Sequence, residues 1–482
     1  MSFNSLPYII FIIGVCLLHY IVRPRYRNTV LLAASYFFYI YIDPRYVFFL
    51  IFSTATSYLI ARIMEKDSEK RKKIWLVLGI VLSLGLLFTL KYLDFLSLSI
   101  SGLLLKFNMT ILPRFNLIIP IGISFYSFTV TGYLIDVYRK KSSAEKNIID
   151  YALFISFFPQ LLSGPIERAS NMLIQYKKTR KFDFSNLKAG MIRFFWGLFK
   201  KMVIADQLAI IVNNTYSGVS DKSSLNILIA VLAYSLQIYV DFSAYSDMAI
   251  GSARLLGLNV MENFDGPYIS SSVRLFWRRW HISLTSWFKD YLYIPLGGSR
   301  CSKTRNVLNI LIVFAVSGLW HGASVTYILW GLINGTYLVI GNLMSSVYKK
   351  LKEILHIKDS NRIFILIKGV VTFILISITW VFFRAESLEH AFSVFKALFT
   401  NTSMPISIET IGVDAYNLII LGISVAVLFY IDVIARRNDI IIRLNRNVWL
   451  PYMIFFILIM AVLIFGVYGA GYDPLDFVYF KF

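Results

Sequence analysis

Long stretches with no charged residue, or with only one, recur along the whole chain, and they restrict its fold more than any other feature. None of them shows the polar and apolar alternation over about ten residues that is typical of a membrane β-strand. Each predicts an α-helix that crosses a lipid bilayer, because a helix satisfies its own backbone hydrogen bonds there. The stretches are residues 8–22, 29–42, 46–60, 74–90, 116–135, 224–240, 306–348, 363–383, 416–431 and 448–468.

The composition agrees with an integral membrane protein. Of the 482 residues, 57% are hydrophobic and 16% are charged, too few charges to cover a water-facing surface. At about 20 residues per crossing, the stretch 306–348 contains two helices, and the total is roughly 10 to 13. We therefore predict an all-α polytopic membrane protein in which residues 1–482 form one domain. The first stretch, 8–22, is predicted to be a retained span, since no basic residue precedes it and no small-residue cleavage site follows.

The distribution of charge predicts an orientation and argues against nucleic acid as a partner. Lys and Arg number 48 against 27 Asp and Glu, a net charge of +21. These cations cluster between the apolar stretches, as expected for cytoplasmic loops, and form no separate basic face. The loops 23–27, 62–73 and 139–146 can all be cytoplasmic if residues 92–105 do not fully cross. The N-terminus is then outside the cell.

Two segments look interrupted rather than spanning. Residues 148–166 are apolar but contain two prolines and a glycine, and such backbone is tolerated at membrane depth only inside protein or beside a watered cavity. This pattern predicts a re-entrant piece. Residues 271–293 carry three Trp among Arg and Lys, which is typical of an interfacial helix or of a half-buried element that lines a cavity.

Of the five histidines, His321 is the strongest functional candidate. It interrupts the longest uncharged stretch, where an ionisable side chain is costly and therefore indicates function. The flanking Gly318 and Gly322 also fit an ordinary hairpin that holds the histidine at the membrane interface. Three others have ordinary explanations, at a helix end or in polar loops: His19, His356 and His390.

His281 and a polar group near residue 240 are further candidates. His281 lies among Trp and Arg, so a lipid headgroup contact competes with a catalytic or substrate role. Gln237 and Asp241 share a helix face, and with Asp247 they either line a polar track, steady a histidine, or form a polar helix end. The chain has two Cys without metal-ligand spacing, so no metal site is predicted.

These residues, taken together, resemble the membrane-bound O-acyltransferase (MBOAT) family, and within it the bacterial branch that acetylates alginate. The resemblance rests on blocks that occur in order and extends over essentially the whole chain. Its strongest parts are the Trp280-His281 pair and the Trp320-His321-Gly322 run. The blocks are residues 117–126, 158–166, 237–247, 276–300, 317–323 and 477–482.

The resemblance implies a fold and an activity. The MBOAT fold surrounds a central funnel with membrane helices and re-entrant or interfacial helices. Its activity is acyl transfer to a hydroxyl, with the invariant histidine of the family at His321 and a second, more variable position at His281. Five residues are expected to line the funnel or support the histidines: Gln237, Asp241, Asp247, Trp280 and Trp320.

The implied chemistry suits an imidazole, because a hydroxyl that attacks a thioester needs a positioned base. His281 would then orient the acceptor, bind the acyl carbonyl or share the proton transfer. The resemblance further implies acetyl-coenzyme A or a carrier-protein thioester as donor, on the cytoplasmic side of a bacterial plasma membrane. It also implies an extracytoplasmic esterase-like partner that completes transfer to an exopolysaccharide or cell-wall glycan.

Two alternatives stay open. The first is transfer of D-alanine to teichoic acid within the same family, although the length of the chain favours the acetylating branch. The second is a non-enzymatic transporter of polysaccharide precursors. A transporter would predict inverted repeats and paired charges inside the spans, and neither is evident in the sequence.

Overall fold

The structure, a computed structural model, describes residues 1–354, 356, 358, 361–402, 404, 411–435, 449–469, 472 and 477–478. Regular structure in these residues is helical, which confirms the predicted fold class for this part of the chain. The first helices are α1 (Leu6–Ile21), α2 (Arg27–Ile42), α3 (Tyr46–Lys66), α4 (Glu69–Lys106), α5 (Ile123–Tyr138), α6 (Ile148–Ser156), α7 (Phe158–Leu161), α8 (Ala169–Lys177), α9 (Phe184–Phe199) and α10 (Asp206–Tyr216). The remaining helices are α11 (Ser224–Leu255), α12 (Val273–Arg279), α13 (Ile282–Phe288), α14 (Lys303–His321), α15 (Val325–Leu343), α16 (Ser345–Ile354), α17 (Arg362–Arg384), α18 (Leu388–Thr400), α19 (Ala415–Ala435) and α20 (Leu450–Phe465).

Short non-α segments connect several of these helices. The π-helical segment Lys200–Ala205 joins α9 to α10, and a second, Lys289–Tyr293, follows α13. Such segments place an extra residue in a helical turn and are frequent at functional sites. The 3₁₀ turns are Pro24–Tyr26, Val219–Asp221 and Pro267–Ile269.

The chain divides into two compact units. The first comprises Met1–Met191 and Met248–Met261, and the second comprises Ile192–Asp247 and Glu262–Phe482. The expectation of one membrane domain over 1–482 stays a prediction. Of the resemblance block at 477–482, residues 479–482 lie outside the described residues.

In the first unit, helices α3, α4 and α5 pack against one another, and α2 packs against α6. The tilted rings of Tyr133 and Tyr151 pack in its interior at a centroid separation of 4.8 Å, and the Tyr151 hydroxyl lies 2.6 Å from Ser57 Oγ. The interruption predicted within 148–166 is present, because α6 ends at Ser156 and α7 begins two residues later. Both short helices are largely buried in protein, which is where an interrupted helix is tolerated at membrane depth.

In the second unit, α14 and α15 form a close hairpin, which confirms that residues 306–348 contain two helices. Small residues permit the close approach. A Cβ atom on Gly318 would lie 2.1 Å from the carbonyl oxygen of Tyr327, and one on Gly331 would lie 2.1 Å from that of Phe314. Glycine at these two positions therefore sets how closely the helices pack. Helix α15 also contacts α12 and α17.

Five of the described helices are long and apolar enough to cross a membrane: α3, α4, α11, α17 and residues 415–433 of α19. A sixth crossing is possible if α15 and α16, which meet at a bend of 51°, form one span, and α1 and α20 are shorter apolar helices. Helix α4 continues through residues 92–105 to a total of 38 residues, or roughly 57 Å at 1.5 Å per residue. The crossing count and the outside position of the N-terminus stay predictions.

Candidate active site

A cavity of about 270 Å³ in the second unit brings His281 and His321 to one site. His321 is the last residue of α14, whereas His281 immediately precedes α13. The histidines are 40 residues apart in the sequence, so tertiary packing joins them. Most of the surrounding wall is apolar and aromatic, including Trp277, Phe288 and Phe314. Such a wall excludes water, which strengthens the electrostatic interactions inside it.

Aromatic rings surround the His321 imidazole. Its ring centroid lies 5.2 Å from that of Trp330 and 5.2 Å from that of Phe383, both close to edge-on. The residue is 4% exposed. Helix α14 stops there because Gly322 is extended, and the Gly322 N–H donates to the Gly318 carbonyl at 3.4 Å. His321 is thus placed by a helix end and oriented by packing.

The backbone of His281 has an unusual conformation. Its φ of 44° and ψ of 56° lie in the left-handed region, which is uncommon outside glycine and costs free energy that the surroundings must offset. Asn263 supplies the support. Its carbonyl accepts the N–H of Ile282 at 2.9 Å, and its side-chain Oδ1 accepts the Ser283 hydroxyl at 2.9 Å. Phe242 meets the imidazole edge-on at 4.7 Å.

Asn263 is a positioning residue that sequence reasoning missed. It is fully buried, and its Nδ2 donates to Ser246 Oγ of α11 at 3.3 Å, which ties the turn at His281 to that helix. A single asparagine in a loop carries no signal in one sequence. The left-handed backbone at His281, which gives Asn263 its purpose, is visible only in three dimensions.

The two predicted tryptophans both lie close to the histidines. Trp280 lines the cavity and stacks on Phe276 with a centroid distance of 5.3 Å. The Trp320 ring lies 6.0 Å from His281 and 4.9 Å from His321. Trp320 therefore packs beside both imidazoles.

The predicted polar residue Asp247 is buried and belongs to an ionic network that extends to the exposed Glu262. Its carboxylate contacts Lys200 Nζ at 2.6 Å and Arg193 at 2.6 Å, and Arg193 also pairs with Glu262 at 2.6 Å. Lys200 further donates to the Ser243 hydroxyl at 2.7 Å. The network joins α11 to the π-helical segment after α9.

Asp241 belongs to a second network of the same kind. It pairs with Lys201 at 2.9 Å, and Lys201 also contacts Asp206 at 2.9 Å. The other Asp241 oxygen accepts the backbone N–H of Val478 at 2.7 Å. Gln237, one helical turn earlier, is buried on the same helix. The histidine cavity is lined by none of the three polar candidates, and their predicted part in the funnel stays a prediction.

Segment 271–293 lines the cavity, which is the second of the two roles predicted for it. It contributes three exposed cations, Arg274, Arg278 and Lys289, beside the buried imidazoles. The part of the chain that the structure describes adds no acidic residue to the lining. A cavity lined by one sign of charge with apolar walls concentrates ions of the opposite sign, here anions.

The chain is a helical membrane protein with two buried histidines in an apolar cavity. Comparison with known proteins identifies the family to which such a protein belongs. The model of the membrane-bound O-acyltransferase family matches residues 137–385. The chain belongs to this family and is an O-acyltransferase, as the sequence motifs predicted.

Relatives from several bacteria share most of the chain. A probable alginate O-acetylase of Pseudomonas aeruginosa is 39% identical over 405 residues, which cover 83% of this chain and 75% of the relative. A peptidoglycan O-acetyltransferase of Helicobacter pylori is 34% identical over 79% of this chain and 75% of its own. A teichoic acid D-alanyltransferase of Bacillus subtilis is 26% identical, with 58% of this chain and 72% of the relative covered. The resemblance to the alginate branch is thereby confirmed.

Proposed function

We propose that the protein transfers an acetyl group from a cytoplasmic thioester, across a bacterial plasma membrane, toward hydroxyls of an exopolysaccharide or cell-wall glycan. The observation that carries the proposal is the shared cavity, in which two buried histidines lie in apolar walls beside exposed cations. Relatives named for alginate and peptidoglycan O-acetylation cover more of the chain than the D-alanyltransferase does, which favours acetyl over D-alanyl.

His321 is the residue we assign as general base. Its imidazole takes the proton from the acceptor hydroxyl while the hydroxyl oxygen attacks the thioester carbonyl carbon. The carbon–sulfur bond then breaks, and the imidazolium returns the proton to the departing thiolate. Proton transfer by a positioned side chain typically contributes about 10² to 10⁴ in rate. The rings of Trp330 and Phe383 hold the imidazole in one orientation, which such a transfer requires.

His281 is assigned to orientation of the acceptor or of the acyl carbonyl. Asn263 stabilises the strained backbone of His281, and this strain favours the assigned role because backbone strain of this kind is concentrated at functional sites. The three cations beside the cavity suit an anionic donor, either acetyl-coenzyme A or a carrier-protein thioester. An extracytoplasmic esterase-like partner then completes transfer to the glycan.

The test measures ester-linked acetate and D-alanine, released by mild base from envelope and secreted glycan. A deletion strain is complemented with wild type, with His321→Ala or with His356→Ala. His356 is an exposed histidine outside the cavity, so the matched variant controls for loss of an imidazole. We expect acetate to return with wild type and with His356→Ala but not with His321→Ala, at equal levels of protein in the membrane.

Other results would overturn parts of the proposal. Loss of alkali-labile D-alanine with unchanged acetate would assign the protein to teichoic acid. Wild-type acetate in the His321→Ala strain would remove His321 from the reaction. If deletion changed neither ester, a transporter would become the better reading.

A further inference from the structure

A second cavity, of about 340 Å³, lies in the first unit and has a different chemistry. It forms where α2 and α6 begin and where α8 ends. Thirteen residues line it, of which five are cations and one is an acid, so positive charge dominates the lining. The cations are Arg25, Arg27, Lys177, Lys178 and Arg180, and the acid is Asp150.

Two of the cations are buried and form no direct ion pair with a carboxylate of the described residues. Arg27 and Arg180 are each 9% exposed. The Arg27 guanidinium donates to the carbonyls of Arg180 and, at 3.5 Å, of Tyr20. The Arg180 guanidinium donates to the Gln175 carbonyl at 3.2 Å and to Asn28 Oδ1 at 2.5 Å. All of these acceptors are neutral, and the Nε atoms of both arginines have no hydrogen-bond partner among the described residues.

The nearby acids leave most of this positive charge uncompensated. Lys177 pairs with Glu145 at 2.6 Å and is thereby neutralised. Asp150 accepts a hydrogen bond from Asn28 Nδ2 at 2.7 Å and is the single acid among the described lining residues. Asp150 attracts Arg180 but makes no direct ion pair with it, and Asn28 lies between the two groups. Buried cations that lack a direct ion pair cost free energy, which a bound anion would offset.

The backbone adds to the positive potential. Helix α2 begins at Arg27 without a side-chain cap, whereas α6, which begins at Ile148, is capped by Asn147 Oδ1 and carries Asp150 in its first turn. First-turn residues of both helices line the cavity, so the uncapped start of α2 is the one that adds positive potential. Helix N-termini carry partial positive charge and are frequent binding sites for phosphate groups. Planar guanidinium groups also match the geometry of phosphate oxygens better than point charges do.

We propose that this cavity binds a phosphomonoester anion, carried either by a soluble phosphate or by the headgroup of a phospholipid such as phosphatidic acid. Its walls include loop 23–27, which the charge pattern places on the cytoplasmic side, where anionic lipids and soluble phosphates are abundant. The cavity shares no lining residue with the histidine site, so the proposal stands independently of acetyl transfer.

Binding is tested on the full chain in detergent and in phosphatidylcholine nanodiscs, by thermal unfolding followed through tryptophan fluorescence. One arm adds inorganic phosphate against chloride at equal ionic strength, and the other replaces part of the phosphatidylcholine with phosphatidic acid. A ligand that binds the folded state raises the unfolding midpoint. A rise with inorganic phosphate indicates a soluble source, and a rise with phosphatidic acid alone indicates the headgroup.

Variants then place the binding in the cavity. Arg25→Gln/Lys178→Gln changes two exposed lining cations and leaves the buried arginines intact, so it is expected to fold. We expect its affinity to fall by about tenfold or more, because the loss of even one charge-assisted hydrogen bond to an anion has an effect of about this size. Arg71→Gln/Lys73→Gln removes the same charge from exposed positions near the start of α4, outside the cavity, and is expected to bind as wild type.

The variant Arg27→Gln/Arg180→Gln changes both buried arginines and gives the stronger test if it folds. In this variant we expect the ligand-induced rise of the unfolding midpoint to vanish. No shift with either ligand in wild type would overturn the proposal. Equal losses in the lining variant and in the Arg71/Lys73 control would also overturn it, because they would show attraction by net charge alone.

Discussion

Replacement of Asp247 by Asn tests whether this carboxylate holds the second unit together. Lys200 and Asp247 are 4% and 7% exposed at their side chains and lie 2.6 Å apart. At an effective dielectric of 20, their attraction is about 6 kcal/mol, much of which desolvation cancels. Removal of one buried partner leaves the other uncompensated and typically costs about 3 to 5 kcal/mol of unfolding free energy.

The reciprocal change is expected to cost less. In Lys200→Met, Asp247 keeps Arg193 at 2.6 Å, so its charge stays compensated and the expected loss is about 1 to 3 kcal/mol. The double variant Lys200→Met/Asp247→Asn retains the pair between Arg193 and Glu262. We expect the double variant to lose less unfolding free energy than the two single variants lose together, by at least about 2 kcal/mol.

The assay is unfolding in mixed detergent micelles of increasing sodium dodecyl sulfate content, read by tryptophan fluorescence, together with acetyl transfer per folded molecule. We expect Asp247→Asn to lose stability while the folded fraction keeps most of its activity. An unchanged unfolding curve together with abolished transfer would refute the reasoning, because Asp247 would then act on the substrate. Additive single losses would show that Lys200 and Asp247 do not interact energetically.

Three further predictions concern the histidine site and the hairpin beside it. Asn263→Ala should lower kcat by about tenfold or more, since small misplacements of catalytic groups are costly, and it should leave the KM for donor unchanged. A changed KM with normal kcat would contradict a positioning role. Gly318→Ala should lower the unfolding free energy by about 1 to 3 kcal/mol because its Cβ meets the Tyr327 carbonyl, whereas Gly341→Ala, which meets nothing within 4 Å, should be neutral in the same unfolding assay. Arg274→Gln/Lys289→Gln should raise the KM for an anionic thioester about tenfold at low salt and less at high salt. If the KM changed neither with these substitutions nor with salt, the cavity would not attract anions.

The long apolar helices are predictable from the sequence, because membrane helices form from local features. An apolar stretch must satisfy its own backbone hydrogen bonds in lipid, so length and lack of charge suffice to predict a helix. The hairpin of α14 and α15 within 306–348 follows from length alone, and the break after Ser156 follows from proline and glycine. The number of crossings is harder to predict, since α4 continues for 38 residues, past the end of the apolar stretch 74–90 and through Lys91 and Asp94.

Both candidate histidines are recognisable in the sequence, but the residues that surround them are not. His321 stands out because an ionisable residue in an uncharged stretch is costly, and that cost is visible in the sequence. The partners of Asp241 and Asp247 were not predicted, because a carboxylate in an apolar helix reads as functional until its counter-ion is known. Lys201 and Lys200 supply those counter-ions from 40 and 47 residues away.

Short patterns in the sequence thus suffice to predict the helices, the membrane character, the family and the two candidate histidines. Tertiary packing determined that His281 and His321 share one cavity, that Asn263 supports a left-handed turn, and that Arg27 and Arg180 meet in a basic pocket. The physical reason is one of range. Helix formation depends on neighbours within a turn or two, whereas burial of a charge, and hence its partner, depends on residues that are distant in sequence and adjacent in space.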